Sequence, residues 1–184
     1  MKYGAMKTNG GNKPSWLGIQ EQSMRIQIKR EVDGGDRSSP SLWTVLTSKL
    51  LAGRWIGLPA PKLPQLELEA GKNTLLYFRT RGCTVCDLID MKVAAACHQA
   101  GVNLIIVDRY SKSDAPEDQA IYAQPGNILD FGGAINSAFQ VGVYPSLVLI
   151  DPAGRIALKD VGGGQVPAEL FGTYLSNRFQ ALLG

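Results

Sequence analysis

Histidine and cysteine are scarce in this 184-residue sequence, with one His and three Cys. Three thiols are too few to staple a disulfide scaffold, and their number is odd. A structural metal site normally takes four ligands. Beyond Cys83 and Cys86 the soft ligands are Cys97 and His98, and no second CxxC exists. A zinc site is therefore poorly supplied, and neither a metal nor a cofactor is expected. An excess of one charge is missing too. Residues 1–41 carry seven Lys/Arg against four Asp/Glu, whereas residues 42–184 carry twelve of each. The net charge of +3 thus belongs to the N-terminal stretch, and the body is neutral. Nucleic-acid binding needs a clustered basic face, so no such partner is expected.

Long hydrophobic runs are also absent. Residues 1–41 hold no apolar run of the secretory kind. The chain as written therefore reads as cytoplasmic, with a periplasmic or membrane-associated location as the alternative. The stretch 41–59 is the most hydrophobic near the start. Lys49 and Arg54 interrupt it, and it is short for a membrane span. It reads as an amphipathic helix packing on the body or on a partner, with a membrane anchor as the less favoured alternative. There is no internal repeat. The length suits one buried core with extensions: a flexible tail over 1–38, a helical extension over 39–57 and a domain over 58–184. A monomer is expected.

Residues 1–38 are rich in Gly, Asn, Lys, Ser and Asp, with a short strand expected near Met24–Ile28. Ser39-Pro40 is a helix-start signal. Leu42, Val45, Leu46 and Leu50 then recur at helical spacing. Gly57 to Pro64 holds three prolines and should be irregular. After that the pattern becomes regular. Thr74–Arg79 is an apolar run of β type. Val85–Ala100 is helical, with Val85, Leu88, Ile89, Val93, Ala96 and Cys97 along its apolar side, and Gly101 is placed to close it. Val102–Asp108 is a second strand. Residues 111–126 form a polar loop with one helical turn near Glu117–Tyr122, and Ile128–Gln140 reads as a helix. Ser146–Asp151 and Arg155–Lys159 are strands around the turn Pro152-Ala153-Gly154. Pro167 opens a last helix, with Leu170, Phe171, Tyr174, Leu175, Phe179 and Leu182 apolar. The order β-α-β-α-β-β-α implies an α/β fold: a mixed sheet of about four or five strands flanked by helices, its first three strands parallel through crossovers and its last two an antiparallel hairpin.

The chemistry sits at Gly82-Cys83-Thr84-Val85-Cys86, between a strand and a helix. A thiolate is the nucleophile in disulfide exchange, and a helix N-terminus lends it partial positive charge and free N–H donors. Cys83 should be the exposed N-cap and attack a substrate disulfide. Cys86, nearly one turn further, should be more buried and resolve the mixed disulfide. CxxC alone is a weak signal, shared by half zinc sites; at a strand-to-helix junction it is strong. The second element is Val143-Tyr144-Pro145, just before a strand. A cis Tyr144–Pro145 bond would bare the Tyr144 backbone for pairing with a substrate peptide. A trans proline at a strand start fits the same residues equally well; with the CxxC in view, cis is the expectation.

The CxxC, the proline before the third strand and the element order together resemble the thioredoxin superfamily, over roughly residues 58–184. Gly57-Leu58-Pro59-Ala60-Pro61-Lys62-Leu63-Pro64 and Ser146-Leu147-Val148-Leu149-Ile150-Asp151-Pro152-Ala153-Gly154-Arg155 are similar to its TlpA-like disulfide reductases and peroxiredoxin relatives. The resemblance implies a thioredoxin-like fold and dithiol–disulfide exchange through Cys83 and Cys86, with protein thiol or disulfide substrates and a redox partner protein. It also implies a role for Pro145; Gly82 and Tyr144 are expected beside it as substrate-binding residues. The direction of exchange does not follow from the resemblance, and a disulfide reductase is the expectation, with the oxidant direction open. The departures are specific. Gly82 stands where the family has Trp. Tyr77 stands six residues before Cys83, where thioredoxin has a buried Asp. Thr84-Val85 is neither Gly-Pro nor a His-containing pair.

The remaining polar groups read more blandly. Arg79 and Arg81 flank the pair and are expected as solvated surface residues; either one, aimed at Cys83, would lower its thiol pKa. Asp87 and Asp90 are expected as solvated helix residues. Cys97 lies eleven residues after Cys86, roughly 16 Å along a helix, and reads as a buried inert thiol. His98 reads as a surface residue. The competing functions are a non-catalytic binding or chaperone module, a peroxiredoxin-like peroxidase and a zinc scaffold.

Overall fold

A computed structural model describes residues 42–80, 82–110, 126–162 and 166–184. The predicted tail, the Met24–Ile28 strand, the Ser39-Pro40 helix start and the turn near Glu117–Tyr122 lie outside them, as does Arg81. The elements are α1 (Leu42–Ala52), a 3-10 turn (Gly53–Trp55), β1 (Thr74–Thr80), α2 (Thr84–Ala100), β2 (Asn103–Tyr110), β3 (Asn127–Phe131), α3 (Ala134–Ala138), β4 (Ser146–Ile150), β5 (Ile156–Val161), a second 3-10 turn (Ala168–Leu170) and α4 (Phe171–Leu183).

The sheet has five strands in the order β3-β2-β1-β4-β5. Strands β1, β2 and β3 are parallel; β4 is antiparallel to β1 and β5. Strand β1 is central and nearly wholly buried, so both its faces must be apolar. The alternation of side chains divides them. Leu75 and Tyr77 face the layer of α2 and α4, packing with Ile89, Val93, Cys97, Phe171, Leu175 and Phe179. Leu76 and Phe78 face the other layer, with Ile135, Phe139 and Val141. Burial of each such side chain contributes about 1.5–3 kcal/mol.

Several expectations need correction. Ile128–Gln140 is not one helix. Asn127–Phe131 pairs beside β2 as the edge strand, and the chain then turns through Gly132 and Gly133 at φ 75° and 76°, a left-handed conformation that stops a right-handed helix. The extra strand takes the parallel position next to β2. The chain therefore reaches Ser146–Ile150 from the other side of β1 and pairs antiparallel, not parallel. On α2 the buried face is Cys86, Ile89, Asp90, Val93, Ala94, Ala96 and Cys97. Val85 and Leu88 point outward, 37% and 53% exposed, because the helix is phased by Cys86 and Ile89. On α4 only the i, i+4, i+8 row Phe171, Leu175 and Phe179 is buried, and Leu170 and Leu182 are exposed. Helix α1 touches the body through Ala52, which packs with Val143 and Val161. Its Leu46 and Leu50 face outward rather than inward. No helix among the described residues is long and apolar enough to cross a membrane.

Candidate redox site

Strand β1 ends at Thr80 and α2 begins at Thr84. The turn between them uses Gly82 at φ 78°, where any side chain would be strained. A Trp at that position does not suit this backbone. Cys83 follows in extended conformation as the N-cap of α2, and its sulfur accepts the Cys86 N–H at 3.2 Å. It thereby takes the place of a capping hydroxyl. Cys83 and Cys86 are joined by a disulfide with Sγ–Sγ 2.02 Å and Cα–Cα 5.3 Å. Cys83 is half-buried rather than fully exposed, because it packs against the core cluster under α2; Cys86 is buried.

The register of β4 against β1 pairs Ser146 with Phe78. Tyr144 and Pro145 are therefore at the same end of the sheet as the CxxC. The Tyr144–Pro145 bond is cis, and the Ser146 hydroxyl donates to the Val143 carbonyl at 2.7 Å. The Tyr144 hydroxyl donates to Asn136 Oδ1 at 2.8 Å, and burial raises its pKa.

Beneath the disulfide lies a polar cluster that sequence reading missed. Arg79, expected on the surface, is buried. Its Nε and Nη2 donate to Asp108 at 2.8 and 2.9 Å, and its Nη1 donates to Asp90 at 2.5 Å. Burial opposes its charge, but Asp108 and Asp90 together hold the guanidinium well above the usual arginine value. Asp90, expected in solvent, is buried one turn past Cys86. It also accepts the Tyr77 hydroxyl at 2.7 Å, and that hydroxyl lies 3.2 Å from the Cys86 carbonyl. Burial, then the nearby Asp90 charge, push the Tyr77 phenol well above the ordinary tyrosine value. Two signals in the sequence could have shown this. Arg79 lies two residues after Tyr77, on the same face of β1, and Asp90 lies four after Cys86, on the same face of α2.

Cys97 is buried and makes no disulfide, and burial pushes its thiol up to about 12. His98 is exposed in the last turn of α2. Neither reaches the CxxC.

No protein-family model matches the sequence, and no curated protein matches it. Solved structures do. One, from Chlorobium tepidum and assigned as a thiol:disulfide interchange protein DsbE, matches with a TM-score of 0.54 at 21% identity, over 70% of this chain and 98% of that one. A second, a thioredoxin-like protein solved in the oxidized form, matches with a TM-score of 0.51 at 18% identity, over 68% and 97%. The chain has a thioredoxin-like fold. Tyr77 stands six residues before Cys83, and the buried carboxylate on the Cys86 face of α2 is Asp90.

Proposed function

We propose that this protein is a thiol-disulfide oxidoreductase working through Cys83 and Cys86. The observation that carries the reading is the disulfide at the first turn of α2, with Cys83 half-buried and Cys86 buried. In the reducing direction the Cys83 thiolate attacks a substrate disulfide. The substrate S–S bond breaks, one substrate sulfur leaves as thiolate, and a mixed disulfide forms. Cys86 then loses its proton to solvent and attacks Cys83 Sγ. The Cys83–substrate bond breaks, the Cys83–Cys86 bond forms, and the second substrate sulfur leaves as thiolate. Two electrons pass to the substrate, and a reduced dithiol partner protein must restore the pair.

Gly82, next to Cys83, and Tyr144 and Pro145, at the same end of the sheet, are proposed to receive the substrate backbone. The unit that does this is proposed to be residues 58–184, with 39–57 as an extension. The Chlorobium tepidum structure, named for thiol:disulfide interchange, supports the same chemistry. Thr84-Val85 between the cysteines holds no His to make a strong oxidant, which favours the reductase direction. The test is the Cys83–Cys86 reduction potential against glutathione. A value near about −270 mV fits a reductase, and one near about −120 mV an oxidant. If no disulfide forms at any poise, the reading fails.

A further inference from the structure

At the end of the sheet that carries Cys83, β1 and β2 present two arginines on opposite faces. Arg79 points under α2, where it is buried between Asp90 and Asp108. Arg109 follows Asp108 on β2, so its side chain leaves the sheet on the other face, and it is exposed. The register sets it beside Thr80, the last residue of β1, and beside Asp130 on β3. The Asp130 carboxylate is engaged below it, accepting from the Ile135 and Asn136 N–H groups and from Asn136 Nδ2. The Arg109 guanidinium is nonetheless held. Its Cζ and Nη1 stand 3.1 Å from where a Cβ of residue 133 would be, so it lies against the bare Gly133 backbone. It also lies beside the Tyr144 hydroxyl, whose pKa it draws down against the rise that burial causes. An arginine ordered in this way gives up less freedom when it binds than a loose surface side chain does.

We propose that Arg109 is a specificity-determining residue that pairs with a carboxylate of the disulfide substrate, favouring Asp or Glu within a few residues of the attacked cysteine. The proposal rests on disulfide exchange at Cys83 and names the kind of substrate that exchange selects. Tyr144 is the link. It precedes the cis Pro145 at the CxxC end of the sheet. Its side chain packs on both core layers and reaches Asn136 and Arg109 on the layer opposite α2. Successive side chains of an extended peptide point to opposite sides. A substrate strand lying along Tyr144 with its cysteine toward Cys83 therefore turns neighbouring side chains toward the Arg109 face. The planar guanidinium fork matches a carboxylate there in a way that a lysine ammonium does not. Arg109 selects substrate and does not tune the thiols, because the sheet end and Tyr144 stand between it and α2.

The test uses the reduced full-length protein and two synthetic peptides, each closed by one intrachain disulfide. They differ in one residue beside a cysteine, Glu in one and Gln in the other. The rate of peptide reduction is measured for wild type, Arg109→Gln and Arg109→Glu. The Glu/Gln rate ratio of wild type, divided by that of Arg109→Gln, cancels the intrinsic difference between the peptides. That quotient should be about three to ten, the range of an ordered but exposed charge-assisted pair. Arg109→Glu should push the ratio below that of Arg109→Gln. A salt series on wild type needs no variant: the preference for Glu should shrink between about 0.01 M and about 1 M. A quotient near one, or a preference unchanged by salt, overturns the inference. So does equal slowing of both peptides in Arg109→Gln, which would leave Arg109 as a support for Tyr144 only. A wild type that reduces 2-hydroxyethyl disulfide but neither peptide also overturns it and leaves the redox pair standing. A wild type that reduces none of the three defeats the proposed function instead.

Discussion

The Tyr144 hydroxyl donates to Asn136 Oδ1 at 2.8 Å, fastening the residue before Pro145 to the helix that follows the edge strand. Asn136 is fully buried and is itself held. Its Nδ2 donates to Asp130 at 2.6 Å, and Asp130 also accepts the backbone N–H groups of Ile135 and Asn136. The Tyr144–Pro145 segment, at the CxxC end of the sheet, is thus braced from the layer opposite α2. Gly133 lets this turn close, since a Cβ there would stand 3.1 Å from the Arg109 guanidinium.

Asn136→Ala should therefore cost about 2 kcal/mol of stability, because it strips a buried carboxylate and a tyrosine of a partner. A urea titration measures this. If Tyr144 receives substrate, reduction of a protein disulfide such as that of insulin should slow several-fold. The Cys83–Cys86 equilibrium with glutathione should stay where it is, since neither sulfur is touched. Equal change in both would contradict a substrate-binding role.

The division of labour between the cysteines gives a second expectation. Cys86→Ser, with Cys83 intact, should accumulate a covalent adduct with a disulfide substrate, visible on non-reducing gels and by mass spectrometry. Cys83→Ser should accumulate none, because the remaining sulfur is buried. Adducts of equal yield in both variants would refute the assignment of Cys83 as attacker.

The CxxC, the Tyr144–Pro145 step and the central strand were legible in the sequence because each is a short-range pattern. A strand running into a helix at two cysteines can be read within a dozen residues. The buried Arg79–Asp90–Asp108 cluster was not, because it exists only once β1, α2 and β2 bring three distant residues together. Charged side chains taken singly read as solvated. Val85 and Leu88 misled for a related reason: the phase of α2 is fixed by what packs under Cys86 and Ile89, which spacing alone does not reveal. Strand β3 is not legible because its apolar residues sit at a sheet edge without clean alternation, Ile128 and Leu129 half-buried and Phe131 exposed.

Cys97 should behave as a bystander. Its thiol is pushed up to about 12 by burial, from an ordinary value of 9.0. A raised value favours the neutral thiol of the folded state. That contribution to stability is whole below about pH 9 and is lost as pH rises toward 12. In the folded protein at mildly alkaline pH, iodoacetamide should label Cys97 only after denaturant is added. Cys97→Ala should cost about 1 kcal/mol and leave the Cys83–Cys86 potential alone. Rapid native labelling would show that the helix opens where the packing says it is closed.

Lys159 gives the opposite pH signature. It is buried on β5, donates to the Phe139 carbonyl at 2.7 Å, and lies over the Trp55 ring at 4.4 Å. Burial pulls its amine down from 10.5 to about 8. Below about pH 8 both folded and unfolded chains carry the ammonium, and the folded state bears the cost of burying it. Between about 8 and 10.5 the folded chain releases its proton first, so the unfolded chain binds more protons and stability rises with pH. The cleanest interval is pH 8 to 9, before Cys97 begins to act in the other direction. Urea midpoints should therefore climb over that interval in the wild type and stay flat in Lys159→Met, which keeps the stem but not the charge. The same substitution removes the cation that holds Trp55, so the fluorescence of that indole should shift toward solvent. A wild-type midpoint that falls from pH 8 to 9 would show that the Trp55 face and the Phe139 carbonyl stabilise the ammonium more than burial opposes it.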